Sequence, residues 1–132
     1  MAGSKIAFDL VSPEKLLLSA EADMVTVPGT EGYMGVMAGH ASLVSTLRAG
    51  MIDVLIDGKD DRYFIRGGFA EINAGKITVL ADEAIPMTEL DLAVLDQRIA
   101  DAQEDELAAE TDAARAKAAQ LVDDLRLVRA AF

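Results

Sequence analysis

The sequence predicts a mostly β protein with an α-helical end: an N-terminal antiparallel β-sandwich of about ten strands, followed by a C-terminal two-helix hairpin. Three observations carry that expectation. All ten glycines lie at or before Gly75, whereas residues 87–132 hold neither Gly nor Pro but twelve alanines. Turns need Gly and Pro and helix interiors avoid both, so the shift near Pro86 divides the chain into domains at residues 1–86 and 87–132. Finally, apolar residues recur with period two up to residue 84, and with spacings of three and four after residue 88.

Taken in order, residues 5–11 alternate, with Ile6, Phe8 and Leu10 on one face against Ala7 and Asp9, and stop at Ser12-Pro13. A short apolar run at residues 16–19 follows, then a β-branched run at residues 21–27 that ends at the Pro28-Gly29 turn. Residues 28–50 gather five of the ten glycines and the single histidine, leaving room only for short strands at residues 34–37 and 42–47. Residues 50–56 set Ile52, Val54 and Ile56 against Met51, Asp53 and Leu55. Asp57-Gly58 is a hairpin signal, and Tyr63 and Ile65 share a face of the returning strand at residues 62–66. Gly67-Gly68 marks a bulge or bend, residues 69–72 continue, Asn73-Ala74-Gly75 turns, and residues 76–81 form a last clear strand. Short strands at this spacing are the texture of an antiparallel sandwich or flattened barrel.

In the second domain, Thr88 followed three residues later by Asp91 reads as a capping-box start, with Leu92, Leu95, Ile99 and Ala102 on one helical face. Thr111-Asp112 offers a second N-cap, after which Ala114, Ala118, Leu121, Leu125 and Val128 line one side. The break falls within residues 103–111. Large apolar side chains contribute about 1.5–3 kcal/mol each when buried, against about 1–2 kcal/mol per residue for ordering backbone. The first helix has only Leu92, Leu95 and Ile99 on its stripe, so the tail is expected to take its order from what it docks on.

Composition supplies exclusions. Both domains are acidic: seven Lys and Arg against twelve Asp and Glu in residues 1–86, five against eleven in residues 87–132. Nucleic acid and anionic lipid both reward clustered cations, so neither nucleic-acid binding nor direct bilayer insertion is expected, and protein partners remain. The chain has no cysteine, which removes thiol nucleophiles and thiolate metal sites. No run of about 18 apolar residues and no charged, apolar leader is present, so the chain is expected to be soluble, unprocessed and intracellular.

No catalytic constellation emerges, and no cofactor or metal is expected. His40 lies near Ser42 and Ser45, but there is no G-x-S-x-G elbow, and a structural or interface role fits it better. Lys59 and Lys76 follow glycines, yet the earlier glycine of a phosphate loop is Asp53 in one case and Ala70 in the other. Acidic pairs such as Asp60-Asp61 lack the EF-hand spacing. Met24, Met34, Met37 and Met51 suit either core filling or a partner surface.

The run VSPEKLLLSAEADMVTVPGTEGYMGVMAGHASLVSTLRAGMI, then GGFAEI, KITVLADEAI and an alanine-rich acidic tail, resembles the epsilon subunit family of bacterial ATP synthases, counterpart of the mitochondrial delta subunit. The resemblance covers essentially the whole chain. It implies a ten-stranded sandwich with a helix-turn-helix, and a non-catalytic rotor (central stalk) subunit on the cytoplasmic face of the bacterial plasma membrane. Such a subunit binds gamma, rests on the c ring, and couples proton flow to ATP synthesis. Its tail extends transiently toward the alpha and beta subunits and restrains hydrolysis.

Carried over by position, Ser12, His40 and Ser45 match gamma contacts, and Glu31 and Tyr33 match the loop that meets the c ring. Tyr33 stands where many relatives carry a second acidic residue, so the charge contact rests on Glu31 alone and an aromatic contact takes the other place. The regulatory cations of the tail are Arg115, Lys117, Arg126 and Arg129, offset by Asp112, Asp123 and Asp124, which implies weak inhibition. Of the tail's ATP pattern Leu-Asp-x-x-Arg-Ala, Asp91 is kept, but Val94 replaces the arginine and phosphate loses its partner. The alternative reading from another class is a free-standing β-sandwich that binds a small ligand or peptide, with a helical tail.

Overall fold

The computed structural model describes residues 4–132, and the chain divides into two compact units, Met1–Met87 and Thr88–Phe132. The first is a curled β-sandwich. Its strands are β1 (Ile6–Val11), β2 (Leu16–Ala22), β3 (Met24–Gly29), β4 (Gly32–Val36), β5 (Leu43–Leu47), β6 (Gly50–Ile56), β7 (Lys59–Ile65), β8 (Gly68–Ile72), β9 (Lys76–Ala81) and β10 (Ala84–Pro86). They join in the order β10-β7-β6-β3-β5-β8-β9-β1-β2, with β4 hydrogen-bonded to β3.

The alternation expected from the sequence sets the core. Ile6, Phe8 and Leu10 of β1, Val25 and Val27 of β3, Ile52 and Val54 of β6, and Ile77 and Val79 of β9 all point inward and are fully buried. Met51 and Phe64, which face each other across β6 and β7 on the opposite side from Ile52, are buried too, so this end of the β6–β7 pair is covered on both faces while Lys59 to Arg62 of β7 stay exposed. The Asp57-Gly58 hairpin forms as expected, with positive φ at both residues (50° and 81°). At Gly68 a Cβ would collide with the carbonyl oxygen of Leu80, which is why the bend there carries glycine.

Three local expectations are revised. β2 continues to Ala22 and β3 starts only at Met24, because the chain bends at Asp23. Asp23 accepts hydrogen bonds from the Asp57 amide (2.8 Å) and from Lys5 (3.0 Å), which pins that bend against the β6–β7 turn. The sheet is not purely antiparallel, since β1 runs parallel to β9 while every other pair is antiparallel. The two strands are far apart in sequence, so no tight hairpin dictates their direction. β3 is the corner. It pairs with β6 from Met24 to Thr26, then turns to meet β5 only at Gly29↔Leu47.

The second unit is a helical hairpin of α1 (Leu92–Ala108) and α2 (Asp112–Ala130). The first cap lies three residues beyond Thr88. Residues Met87–Glu89 form a 3-10 turn, and the Asp91 carboxylate accepts the Val94 amide at 2.9 Å. Thr111 caps α2 as expected, its hydroxyl accepting from the Ala114 amide at 3.0 Å. Leu95 and Ala102 of α1, with Ala118, Val122, Leu125 and Val128 of α2, are buried, whereas Leu92 and Ala114 of the expected stripes are exposed. An ion pair from Arg129 to Asp96 (2.6 Å) ties the end of α2 to the start of α1, so the helices run antiparallel.

Candidate docking surfaces

The β3–β4 turn carries Glu31, exposed between Gly29 and Gly32, which face each other at the hairpin end. Gly32 has φ 137°, a backbone state that side chains resist. Tyr33, half-exposed, is held on three sides. Its hydroxyl accepts a hydrogen bond from the Met51 amide at 3.3 Å, the Arg48 guanidinium lies 5.9 Å from the ring centroid, and Gly50 lies beneath the hydroxyl. Ser45 of β5 joins Glu31, Tyr33 and Leu43 around an open concavity of about 350 Å³. The structure therefore brings together Ser45 and the Glu31–Tyr33 pair, which the resemblance assigns to different partners.

His40 and Ser12 lie elsewhere. His40 is half-buried in the β4–β5 loop, which is anchored by the Gly39 amide donating to the Ala74 carbonyl at 2.7 Å, beside the β8–β9 turn. Its Nδ1 sits 2.7 Å from the Ala41 carbonyl, so the side chain is folded back on its own loop. Ser12 closes the β1–β2 turn, its amide donating to the Lys15 carbonyl at 2.9 Å, and lines a hollow of about 250 Å³ with Asp82 and Glu83. Because Ala7 pairs with Lys76 and Val11 with Leu80, His40 and Ser12 flank opposite ends of β9. At about 3.3 Å per residue the strand separates them by roughly 20 Å.

At the Ser12 end of β9 lies a feature the sequence reading missed. Paired residues Thr46, Phe69, Leu80, Val11 and Leu16 form one row across β5, β8, β9, β1 and β2. Residues paired directly across a sheet share a face. Phe69 is 51% exposed, Leu80 44% and Leu16 57%, with Val44 at 68% one row away. Five strands at about 4.8 Å spacing make this an apolar stripe roughly 20 Å long on the outer face of the sandwich. The signal was present: Phe69 and Leu80 stand in the outward phase of strands whose inward phase is Ala70 and Val79. Ser45, by contrast, shares its face with buried Ala70 rather than with the stripe.

In the tail, Asp91 spends its carboxylate on capping α1 and Val94 is half-buried, so the pair offers nothing that grips a phosphate. Two of the four tail cations are engaged within the hairpin: Arg115 with Asp112 (3.1 Å) and the Ala109 carbonyl (3.3 Å), and Arg129 with Asp96. Lys117 and Arg126 are exposed. Of the methionines, Met34 packs against the core, Met51 is buried, and Met37 is 57% exposed. Among the described residues, no helix is long and apolar enough to cross a membrane.

An exposed apolar stripe on the outer face of a sandwich marks the class of protein that docks other proteins. The family model for the ATP synthase delta/epsilon chain β-sandwich domain matches residues 5–87. The chain belongs to the ATP synthase delta/epsilon chain family, whose members are non-catalytic subunits of that complex. It is 48% identical to the ATP synthase epsilon chain of Parvibaculum lavamentivorans over 126 residues, covering 95% of this chain and 96% of that one. It is also 48% identical to that of Maricaulis maris over 118 residues, covering 89% of each. A chain in the Euglena gracilis mitochondrial ATP synthase with its c-ring superposes with a TM-score of 0.80 at 29% identity, over 97% of this chain and 81% of that one. A Tetrahymena thermophila mitochondrial ATP synthase central-stalk structure gives 0.75 at 16% identity, over 97% and 96%, a likeness of fold alone.

Proposed function

We propose that this chain is the rotor subunit of the central stalk of a proton-translocating ATP synthase, a peripheral protein on the cytoplasmic face of the bacterial plasma membrane. It binds the gamma subunit through the outer face of its sandwich, rests its β3–β4 turn on the c ring, and so couples c-ring rotation to ATP synthesis. The single observation that carries this reading is the end-to-end identity with curated epsilon chains, 48% across 95% of the chain.

The geometry supports a division of labour. The Phe69–Leu80–Leu16 stripe offers gamma an apolar surface, with the Ser12 turn next to Val11 in its row and the His40 loop at the far end of β9. The Glu31 turn is the c-ring contact, a lone negative charge on a protruding hairpin, with Tyr33 and Ser45 beside it. The helical hairpin reaches the alpha and beta subunits when it opens. Two of its four cations are paired in the closed form, so restraint of hydrolysis is weak. Membrane vesicles stripped of this chain should lose ATP-driven proton pumping and regain it when the chain is added back. Pumping indifferent to its removal would exclude the rotor role.

A further inference from the structure

Tyr33, although half-exposed, is held by Met51, Arg48 and Gly50, and these surroundings come from a defect in the sheet. β3 leaves β6 after Thr26↔Asp53 and reaches β5 only at Gly29↔Leu47. At this crossing Pro28 has no amide to offer, and its carbonyl is taken by the Arg48 amide at 2.9 Å. The Met51 amide, at the start of β6, therefore has no ladder partner on β3. The Tyr33 hydroxyl supplies one, at 3.3 Å. Buried amides need such a partner, and Met51 is 8% exposed.

The neighbours are fitted to the ring. A Cβ on Gly50 would stand 2.8 Å from the Pro28 Cβ and 3.0 Å from the Tyr33 hydroxyl, so only glycine leaves room for the phenol. Arg48, whose backbone already holds Pro28, places its guanidinium over the ring. Tyr33 is two residues from Glu31 on the same short hairpin.

We propose that Tyr33 is a positioning residue: it pins the β3–β4 turn to the β5–β6 connection and holds Glu31 in a fixed direction. The consequence for coupling rests on the c-ring reading above, whereas the pin is a property of the chain by itself. Where a second acidic residue would add charge, this chain adds stiffness. A preordered contact loses less conformational entropy on meeting its partner.

The chain has no cysteine, so Thr30→Cys gives a unique attachment point for a nitroxide label on the exposed turn. Label mobility and Met51 amide exchange are compared for Tyr33, Tyr33→Phe and Tyr33→Leu in the full chain. Tyr33→Phe keeps the ring over Gly50 and removes only the hydroxyl. Met51 exchange should rise by about fivefold, the loss of one ordinary hydrogen bond, with a small gain in label mobility. Tyr33→Leu should free the label further, while amides of β1 and β9 keep their protection. A label equally immobile in all three proteins, with Met51 exchange unchanged in Tyr33→Phe, overturns the proposal. If Tyr33→Leu disrupts the sandwich, Tyr33→Phe decides alone.

Proton pumping by the assembled ATP synthase separates this from the c-ring reading. A loosened turn with impaired pumping supports both. A loosened turn with pumping intact supports the pin and removes the c-ring role from the turn.

Discussion

At the scale of single residues, the ion cluster of Lys5, Asp23 and Asp57 shows how charge holds a bend. Lys5 lies 2.7 Å from Asp57 and 3.0 Å from Asp23, and the Asp57 amide donates to Asp23. The Lys5 hydrogen bond, then the Asp57 amide, hold the Asp23 carboxyl below its ordinary value. A carboxyl depressed in the folded state contributes stability that is present above its unfolded value, near about 4, and lost as pH falls through the folded value. Lys5 is raised above its ordinary value by Asp57 and then Asp23, and its contribution is complete below about 10.4 and fades only above that. Lys5→Met should therefore lower stability at neutral pH, by the small amount an exposed pair contributes, and have no effect once Asp23 is protonated, so that the acid limb below about pH 4 flattens in urea unfolding. An acid limb identical to that of the parent protein would show that the cluster does not hold the bend.

Gly50 makes the complementary prediction. Gly50→Ala forces a methyl against Pro28 and the Tyr33 hydroxyl, an overpacking that should cost about 1–3 kcal/mol in urea unfolding. Neither site was readable beforehand. The glycine was visible in the sequence, but its need arises from a crossing of strands distant in the chain. The same holds for Tyr33, whose hydrogen bond joins residues 18 apart in sequence.

At the scale of elements, strands whose neighbours are local were the most legible. β6, the Asp57-Gly58 turn and β9 follow directly from alternation and turn chemistry. β2 runs three residues further and β3 starts three residues later than their local pattern indicates, because the Asp57 amide holds the bend at Asp23 between them, and β4 covers Gly32–Val36 rather than residues 34–37. β10, three residues long, was too short to show a period. In the hairpin, Thr111 was read correctly because an N-cap is a local device. The α1 cap moved from Thr88 to Asp91, since the carboxylate nearer the helix accepts the Val94 amide itself.

Thr111→Ala should destabilise the start of α2 by about 1 kcal/mol. Hydrogen exchange should show faster exchange at Ala114 and its neighbours and no change in the sandwich. Asp96→Asn removes an exposed ion pair that solvent and salt screen, so its effect on α2 should be smaller still and should fade in high salt.

At the scale of the whole molecule, the two units answer to different logic. The sandwich is built around one continuous apolar core to which β1 through β9 all contribute. The hairpin is fastened by a narrow apolar seam and by the exposed Arg129–Asp96 pair. Deleting residues 88–132 should leave assembly intact and raise ATP hydrolysis by less than about fivefold, below the usual range of allosteric coupling. A larger rise would mean that the tail inhibits strongly despite its paired cations.

The fold class and the family were legible from end to end, since glycine distribution, periodicity and the quoted runs are properties of the chain itself. The docking surface was only partly so. Ser12 and His40 were proposed by resemblance alone, and the row of Thr46, Phe69, Leu80, Val11 and Leu16 comes from five strands whose order no local pattern encodes.

Whether gamma docks on the outer face is measured by size-exclusion with mass determination of this chain mixed with its cognate gamma subunit, comparing the parent protein with Phe69→Glu, Leu80→Glu and His40→Glu. The account predicts a one-to-one complex that Phe69→Glu and Leu80→Glu each weaken at least about tenfold, as a buried charge at the centre of an apolar contact should. His40→Glu, at the rim, should weaken it less. No complex with the parent protein would contradict the rotor assignment, and a complex indifferent to Phe69→Glu and Leu80→Glu would contradict the placement of gamma on this face.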